Sequence, residues 1–129
     1  MLLNTIGQIL AQDRDYPLEN TLLHAEVDFN MVGSSIFKDL GNHILFRDPN
    51  TELTYALLDL WALSDPGKRW SEIEYLIRNG RFEVSFTYPE DLDPGEDPGD
   101  RRDRVVRRHF GEKPIHYPPP DDDEDAFDL

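Results

Sequence analysis

The sequence predicts an α+β fold in which an antiparallel sheet of about five strands packs with helices. Two stretches, residues 23–29 and 70–88, alternate apolar and polar side chains with the period of a β-strand. Other stretches carry the apolar spacing or the capping residues of helices. The elements come in the order helix, three strands, helix, hairpin, helix, which is typical of an α+β domain.

The first elements follow from apolar spacing. Residues 1–12 predict a short amphipathic helix, because their apolar side chains recur every three to four positions. Residues 23–29 predict a strand with one buried face, on which His24 would point to solvent. We expect a break at residues 30–35, with Gly33 in a turn, and then two short strands at residues 36–37 and 44–46.

A second helix is predicted from Asp48-Pro49 to Ser64. Aspartate can cap free backbone amides while proline occupies the first turn, and Asp65-Pro66-Gly67 ends the helix. The apolar face is broad and suggests a helix buried against the sheet. Its main stripe consists of Leu53, Leu57, Leu60 and Trp61, and Ala56, Leu58 and Leu63 widen it.

A hairpin is predicted over residues 70–88 with Asn79-Gly80 at its turn, because this pair tolerates the positive φ of a type I′ turn. Pairing Arg78 with Arg81 places Ile77 opposite Phe82, Tyr75 opposite Val84 and Ile73 opposite Phe86. We expect this apolar face, Phe82 and Phe86 included, to pack on the Leu53–Leu63 helix. Glu72 and Glu74 alternate with it and are expected on the solvent side.

The last third of the chain is rich in acids. Residues 89–100 contain three Pro, two Gly and six acids, which predicts a solvated loop. A helix capped by Asp100 should follow over residues 101–110, with its arginines facing outward. The sequence thus predicts one domain over residues 1–117 and a flexible acidic tail over residues 118–129.

Charge and composition limit the function. The chain has 27 acids against 13 Lys and Arg, a net charge of −14, which disfavours direct contact with nucleic acids and anionic membranes. Residues 89–129 hold 14 acids and 6 bases, more than half of the excess. The absence of cysteine excludes disulfides and thiolate metal sites. No long apolar run or signal peptide is evident, so we expect a cytoplasmic protein.

The candidates for catalysis or metal binding are weak. The four histidines are not spaced as ligand pairs, and Ser34-Ser35 lacks the motif of a nucleophile. Asp91, Asp93 and Gly95 resemble a calcium loop, but Arg102 occupies the position of its closing glutamate. We therefore expect no enzyme activity, no metal and no cofactor.

Protein binding is the remaining hypothesis. Carboxylates on two segments could steer a basic partner, and an aromatic residue among them could anchor it. The candidate residues of this site are Glu90, Asp91, Asp93, Glu96, Asp97, Asp121, Asp122, Asp123, Glu124, Asp125 and Phe127. The alternative is that the tail only keeps the protein in solution.

The stretch from Trp70 to Pro118 resembles the YezG-like antitoxins, immunity proteins of bacterial polymorphic toxin systems. The resemblance begins with a Trp-led strand and a Gly-Arg-Phe turn into an aromatic strand that ends in Tyr. An acidic loop, an Arg-led helix and a closing Phe-Gly followed by Pro complete it. The matching residues are Trp70, Gly80, Arg81, Phe82, Phe86, Tyr88, Arg101, Gly111 and Pro114. The long Pro/Asp loop and the acidic tail depart from the family pattern.

This resemblance implies an inhibitor that binds the catalytic domain of a cognate toxin and covers its active site. Toxins paired with such proteins include nucleases, and a basic groove built for phosphates would attract an acidic inhibitor. The alternatives are an acidic adaptor or binding module of another system, and an enzyme.

Overall fold

The computed structural model describes residues 2–28 and 31–117, in which six strands form one sheet between two layers of helices. The helices are α1 (Leu2–Leu10), α2 (Thr51–Ala62) and α3 (Pro98–Phe110). The strands are β1 (Thr21–Asp28), β2 (Met31–Asp39), β3 (Ile44–Arg47), β4 (Glu72–Arg78), β5 (Arg81–Thr87) and β6 (Ile115–His116). Met1, Phe29, Asn30 and the predicted tail at 118–129 lie outside the described residues.

The strand order in the sheet is β5-β4-β1-β2-β3-β6. All neighbours pair antiparallel except β3 and β6, which are parallel. The predicted α+β class is confirmed. The sixth strand was not predicted, because a strand of two residues is too short to show a period.

The β4–β5 hairpin has the predicted register. Ile77 pairs with Phe82, Tyr75 with Val84 and Ile73 with Phe86. The turn residues Asn79 and Gly80 both have positive φ, at 58° and 72°, as a type I′ turn requires. Here the turn chemistry and the alternation of side chains specify the same pairing.

The predicted break at residues 30–35 is wrong. Strand β2 begins at Met31 and pairs with β1 along its whole length, with Val32 opposite Val27 and Gly33 opposite Glu26. The sheet is held by backbone hydrogen bonds, which a glycine or two serines supply as well as apolar residues do. The Ser34-Ser35 pair therefore lies in a strand rather than in a loop.

Helices α1 and α2 cover one face of the sheet. Their buried residues and those of the strands form one apolar cluster: Ile6, Ile9, Leu10, Leu23, Ala25, Val27, Ile36, Leu53, Ala56, Leu57, Trp70, Ile73, Tyr75 and Ile77. Gly7 lets α1 approach β4, since a Cβ there would lie 2.8 Å from the Tyr75 hydroxyl oxygen. That hydroxyl donates a 2.7 Å hydrogen bond to the Leu3 carbonyl, which ties the helix to the strand.

The predicted helix starts need correction. Helix α2 is capped by Asn50, whose side-chain oxygen accepts a 2.8 Å hydrogen bond from the Leu53 amide, rather than by Asp48. Helix α3 is capped by Asp97 rather than Asp100, and Pro98 occupies its first turn. Both predictions chose one of several capping residues close in sequence, and any of them satisfies the local rule.

Helix α3 covers the opposite face of the sheet. The apolar residues buried between α3 and the sheet, those of the helix included, are few: Leu22, Phe37, Ile44, Leu76, Val105, Val106 and Phe110. Between them lie charged and polar side chains of β1 and β4, which are as completely buried as the apolar ones.

Candidate functional site

The acidic loop between β5 and α3 is ordered by its own hydrogen bonds. A 3₁₀ turn over Pro89–Asp91 begins it, and Glu90 and Asp91 are exposed there. Asp93 is also exposed, and its Oδ1 accepts a 2.9 Å hydrogen bond from the Gly95 amide. These three predicted site residues thus present carboxylates to solvent from a folded segment.

The other two predicted loop residues hold α3 in place. The Glu96 carboxylate accepts hydrogen bonds of 3.0 and 2.8 Å from Arg104 and one of 3.5 Å from Arg101. The hydrogen bond from Arg104 lowers the pKa of Glu96. The Asp97 carboxylate caps α3 by accepting from the Gly99 and Asp100 amides at 2.9 and 3.2 Å. Glu96 is half-buried, and its charge is neutralised locally.

The remaining predicted site residues lie outside the described residues. They are Asp121, Asp122, Asp123, Glu124, Asp125 and Phe127. The structure describes β6 up to His116 and then Tyr117, whose hydroxyl accepts a 3.2 Å hydrogen bond from Arg102.

A fully buried carboxylate, that of Glu72 on β4, lies under α3. It accepts two hydrogen bonds of 2.7 Å from the Arg101 guanidinium and lies 2.8 Å from His24 Nε2. Burial alone would raise the pKa of Glu72, but the hydrogen bonds from Arg101 and His24 outweigh it and lower the pKa to about 2.

A second buried carboxylate, Glu74, repeats the arrangement one pleat further along β4. Its Oε1 contacts the Arg108 guanidinium and lies 2.8 Å from His109 Nε2. Burial raises the pKa of Glu74, and the hydrogen bonds from His109 and Arg108 lower it below its ordinary value. We call Glu72, Glu74 and their Arg and His partners the α3 clamp.

The α3 clamp corrects three expectations. His24, Glu72 and Glu74 are buried rather than solvent-facing, and Arg101 and Arg108 bind the sheet rather than only pointing outward. The partners of the two glutamates on α3 lie 29 to 35 residues away in sequence. Alternation of Glu with apolar residues on a strand also fits an exposed face, so no local signal separates the two cases.

A small cavity of about 240 Å³ opens beside this clamp, at the start of α3. His24, Ser35 and Arg102 line it, and the Arg102 guanidinium donates a long hydrogen bond of 3.4 Å to the Ser35 hydroxyl. Strand register places Ser35 directly opposite His24. The histidine already binds Glu72 through Nε2, and no hydrogen bond joins it to Ser35 among those of the described residues.

A larger cleft of about 580 Å³ lies on the other side of the sheet, between the end of α1 and the start of α2. Lys38 of β2 is buried beside it and donates hydrogen bonds of 3.0 Å to the Pro17 carbonyl and the Thr21 hydroxyl. Burial lowers the pKa of Lys38. At the rim, Arg47 and Asp13 form a bidentate ion pair with bonds of 2.7 and 3.0 Å.

Two further histidines meet across the β3–β6 edge. The rings of His43 and His116 stack with their centroids 4.3 Å apart. This contact was not predicted, because the residues are far apart in sequence and β6 was not foreseen. In residues 2–28 and 31–117, no group of three or more His, Asp or Glu side chains is placed to hold a metal ion.

A second acidic segment, which sequence analysis did not single out, surrounds α2. Between Asp48 and Gly67 the chain has four acids and no Lys or Arg. The end of α2 lies near the start of the acidic loop, because Trp61 donates a 2.8 Å hydrogen bond to the Trp70 carbonyl and Lys68 lies over the Tyr88 ring. Both acidic segments therefore reach the same end of the molecule.

None of the helices within residues 2–28 and 31–117 is long and apolar enough to cross a membrane. Neither protein-family models nor curated proteins match the chain.

Proposed function

We propose that the chain is a cytoplasmic, non-catalytic immunity protein. It would bind the basic catalytic domain of a cognate bacterial toxin, in particular a toxin that acts on nucleic acid, and cover its active-site groove. The observation that carries this proposal is a group of exposed carboxylates, Glu90, Asp91 and Asp93, none of which forms an ion pair with a Lys or Arg of residues 2–28 and 31–117. Glu90, Asp91 and Asp93 are exposed on an ordered loop, and the net charge of the chain is −14.

The distribution of ion pairs favours such a surface. Arg101 and Arg108 pair with buried glutamates, Arg47 pairs with Asp13, and Lys113 pairs with Asp39 at 2.8 Å. These four basic side chains neutralise acids inside or at the edge of the fold, whereas Arg107 pairs with the exposed Glu112. The acids left at the surface keep their charge and generate a negative field towards a partner.

The buried polar groups argue for a structural role rather than catalysis. Each carboxylate of the α3 clamp is held by one arginine and one histidine, and its pKa is lowered away from the neutral range in which a general acid or base operates. The clamp fixes α3, and α3 in turn positions the acidic loop through Glu96 and Asp97. The α3 clamp thus contributes to function by holding the acidic loop in position.

Inhibition would follow from competition for one groove. A groove that binds phosphates carries Lys and Arg side chains at its surface, and carboxylates presented on a folded loop can pair with them. The negative field would also accelerate the encounter between the two proteins. The inhibitor would then occupy the place of the nucleic acid.

The proposal expects a neighbouring gene to encode a toxin, and the test is to co-express the chain with the catalytic domain of that toxin. We expect the cells to survive only when both proteins are made, and the two proteins to purify together in equal amounts. A variant with Glu90, Asp91 and Asp93 changed to Lys should weaken both effects, while lysines at Glu83 and Glu112 provide a control for exposed acids outside the loop. Failure of the unmodified chain to protect cells or to form a complex would refute the proposal.

A further inference from the structure

The outer side of α2 carries a continuous exposed stripe. Glu52, Tyr55, Asp59 and Leu63 follow one another at intervals of three or four residues, so they project from one side of the helix. Leu63 is the last of them, and its backbone keeps helical angles at the C-cap. Tyr55 is 64% exposed and Leu63 77% exposed. We call these four residues the α2 stripe.

The α2 stripe combines large apolar groups with uncompensated negative charge. Glu52 accepts a hydrogen bond from the neutral amide of Gln12. Of the next two bases along the chain, Lys68 lies over the Tyr88 ring, whereas Arg69 packs on the last turn of α2, over the Trp61 ring and 3.3 Å from the Ala62 carbonyl oxygen. Among the ion pairs of residues 2–28 and 31–117, neither base pairs with Glu52 or Asp59. No Lys or Arg occurs between Asp48 and Gly67 to neutralise the two acids of the stripe.

Exposed apolar side chains beside like charges are a feature of docking surfaces rather than of inert helix faces. The inner side of α2 already packs on the sheet through Leu53 and Leu57, so the fold does not need Tyr55 and Leu63 for its core. Tyrosine is enriched among the residues that dominate binding energies, and an apolar anchor ringed by charge gives both affinity and orientation.

We infer that the α2 stripe is the anchor point for a basic protein partner. Tyr55 and Leu63 would contact apolar side chains of that partner, and Glu52 and Asp59 would pair with its Lys or Arg residues. This inference rests on the proposed function for the basic character of the partner, and it adds the surface at which the partner is held. The end of the stripe lies on the side of the molecule where the acidic loop begins.

Charge complementarity selects this occupant over a second copy of the chain. Two stripes packed face to face would bring Glu52 and Asp59 of one copy against the same acids of the other. Each copy would also carry its net charge of −14 into the contact. Like charges across an interface cost free energy, whereas a basic partner gains from the same acids.

The experiment compares two synthetic peptides of about 18 residues as probes of helix-in-groove or helix-to-helix docking. One has Leu and Lys at amphipathic helical spacing, and the other has Ala in place of Leu with the same charge. The full chain should bind the Leu/Lys peptide more tightly than the Ala/Lys peptide. The Tyr55→Ala/Leu63→Ala variant should bind the Leu/Lys peptide at least about tenfold more weakly than the parent chain does. Both substitutions remove exposed side chains, so the variant should fold as the parent does, which circular dichroism verifies.

The control is Tyr117→Ala, which removes an exposed aromatic ring next to Phe46 and Arg102, on the α3 side of the sheet. It should bind the Leu/Lys peptide as the parent does. Unchanged peptide binding by the double variant would overturn the inference, as would a dimer in sedimentation that the double variant abolishes. Binding of the toxin domain distinguishes the two proposals. If the double variant binds the toxin as the parent does, the α2 stripe is not the anchor point, and the proposed immunity function stands. Loss of peptide binding in the variant without any toxin complex supports the stripe and refutes the immunity function.

Discussion

The two faces of the central sheet are covered in different ways. Helices α1 and α2 pack through an extended apolar cluster that includes Leu53, Leu57 and Tyr75. Helix α3 packs on fewer apolar residues and is held by Glu72 and Glu74 through the α3 clamp. One strand, β4, serves both layers, with apolar side chains towards α1 and α2 and carboxylates towards α3.

The two faces thus differ in the main interaction that holds their helices: apolar burial, which has no preferred direction, on the α1 and α2 face, and ion pairs, which have one, on the α3 face. Apolar burial tolerates small shifts in helix position, whereas a bidentate Arg–Glu pair fixes both distance and orientation. The helix held to the sheet by ion pairs is α3, which follows the acidic loop. The α3 clamp therefore determines where the acidic loop is presented. Substitutions on the α3 face and on the α1 and α2 face should change stability in ways that differ in size and in their dependence on salt and pH.

The largest effect is expected from Arg101→Ala. This substitution leaves the fully buried Glu72 carboxylate with only His24 as a partner, and breaking a buried ion pair costs about 3–5 kcal/mol of unfolding free energy. Urea denaturation measures it. Arg107→Ala is the control, because Arg107 pairs with the exposed Glu112 at 3.3 Å and should cost less than about 1 kcal/mol. Equal losses for the two variants would contradict the clamp.

On the apolar face, Leu57→Ala should cost about 3 kcal/mol, since Leu57 is fully buried and its truncation leaves a cavity. The free energy lost should be the same at low and at high salt, because the lost interaction is not electrostatic. Urea denaturation at two salt concentrations is the measurement. A clear salt dependence of this loss would mean that the two faces do not differ as described.

Acid should weaken the α3 face selectively. The pKa of Glu72 is about 2 in the folded chain against an ordinary value of 4.5. The folded state thus favours the carboxylate, and the stability it contributes is complete above about pH 5 and is lost as the pH falls towards 2. When the pH is lowered from 5 to 3, the free energy of unfolding of the Glu72→Gln variant should fall by about 1–2 kcal/mol less than that of the parent chain. Glu83→Gln, an exposed control on β5, should follow the parent. If the free energy of unfolding depends on pH equally in the parent and in Glu72→Gln, this carboxylate is not the cause of the acid sensitivity.

The smallest effect concerns the edge of the apolar face. Phe82 stacks on Tyr75 and is 38% exposed, and it lies beside Gly7 and Ala11 at α1 rather than packing on the Leu53–Leu63 helix as the sequence predicted. Phe86 is half-buried and contacts the buried Trp70. Phe86→Ala should therefore cost about 1 kcal/mol more than Phe82→Ala in thermal or urea denaturation. A larger cost for Phe82→Ala would show that the exposed edge of β5 is packed more tightly than these contacts indicate.

Sequence reasoning performed differently on the two faces for a physical reason. The register of the β4–β5 hairpin follows from turn chemistry and local period, and the structure confirms it. Of the predicted stripe of α2, Leu53 and Leu57 are buried, whereas Leu60 and Trp61 are only partly buried. The α3 clamp depends on Glu72 meeting Arg101 and His24, and such long-range pairing leaves no periodic trace. In the acidic loop, composition identifies the carboxylates but not their roles. Asp97 caps α3 and Glu96 pairs with Arg104, whereas Glu90 and Asp91 face solvent.

The most direct test of the account is the rate of association with the adjacent toxin domain at low salt and at about 0.15 M salt, where charges are screened beyond about 8 Å. If exposed acids steer a basic partner, the association rate falls steeply as salt rises while the dissociation rate changes little. Deleting residues 119–129 should slow association further if the predicted tail takes part, and should leave it unchanged if those acids only maintain solubility. An association rate of the full chain that does not depend on salt would contradict the central claim that its acidic surface recognises the partner.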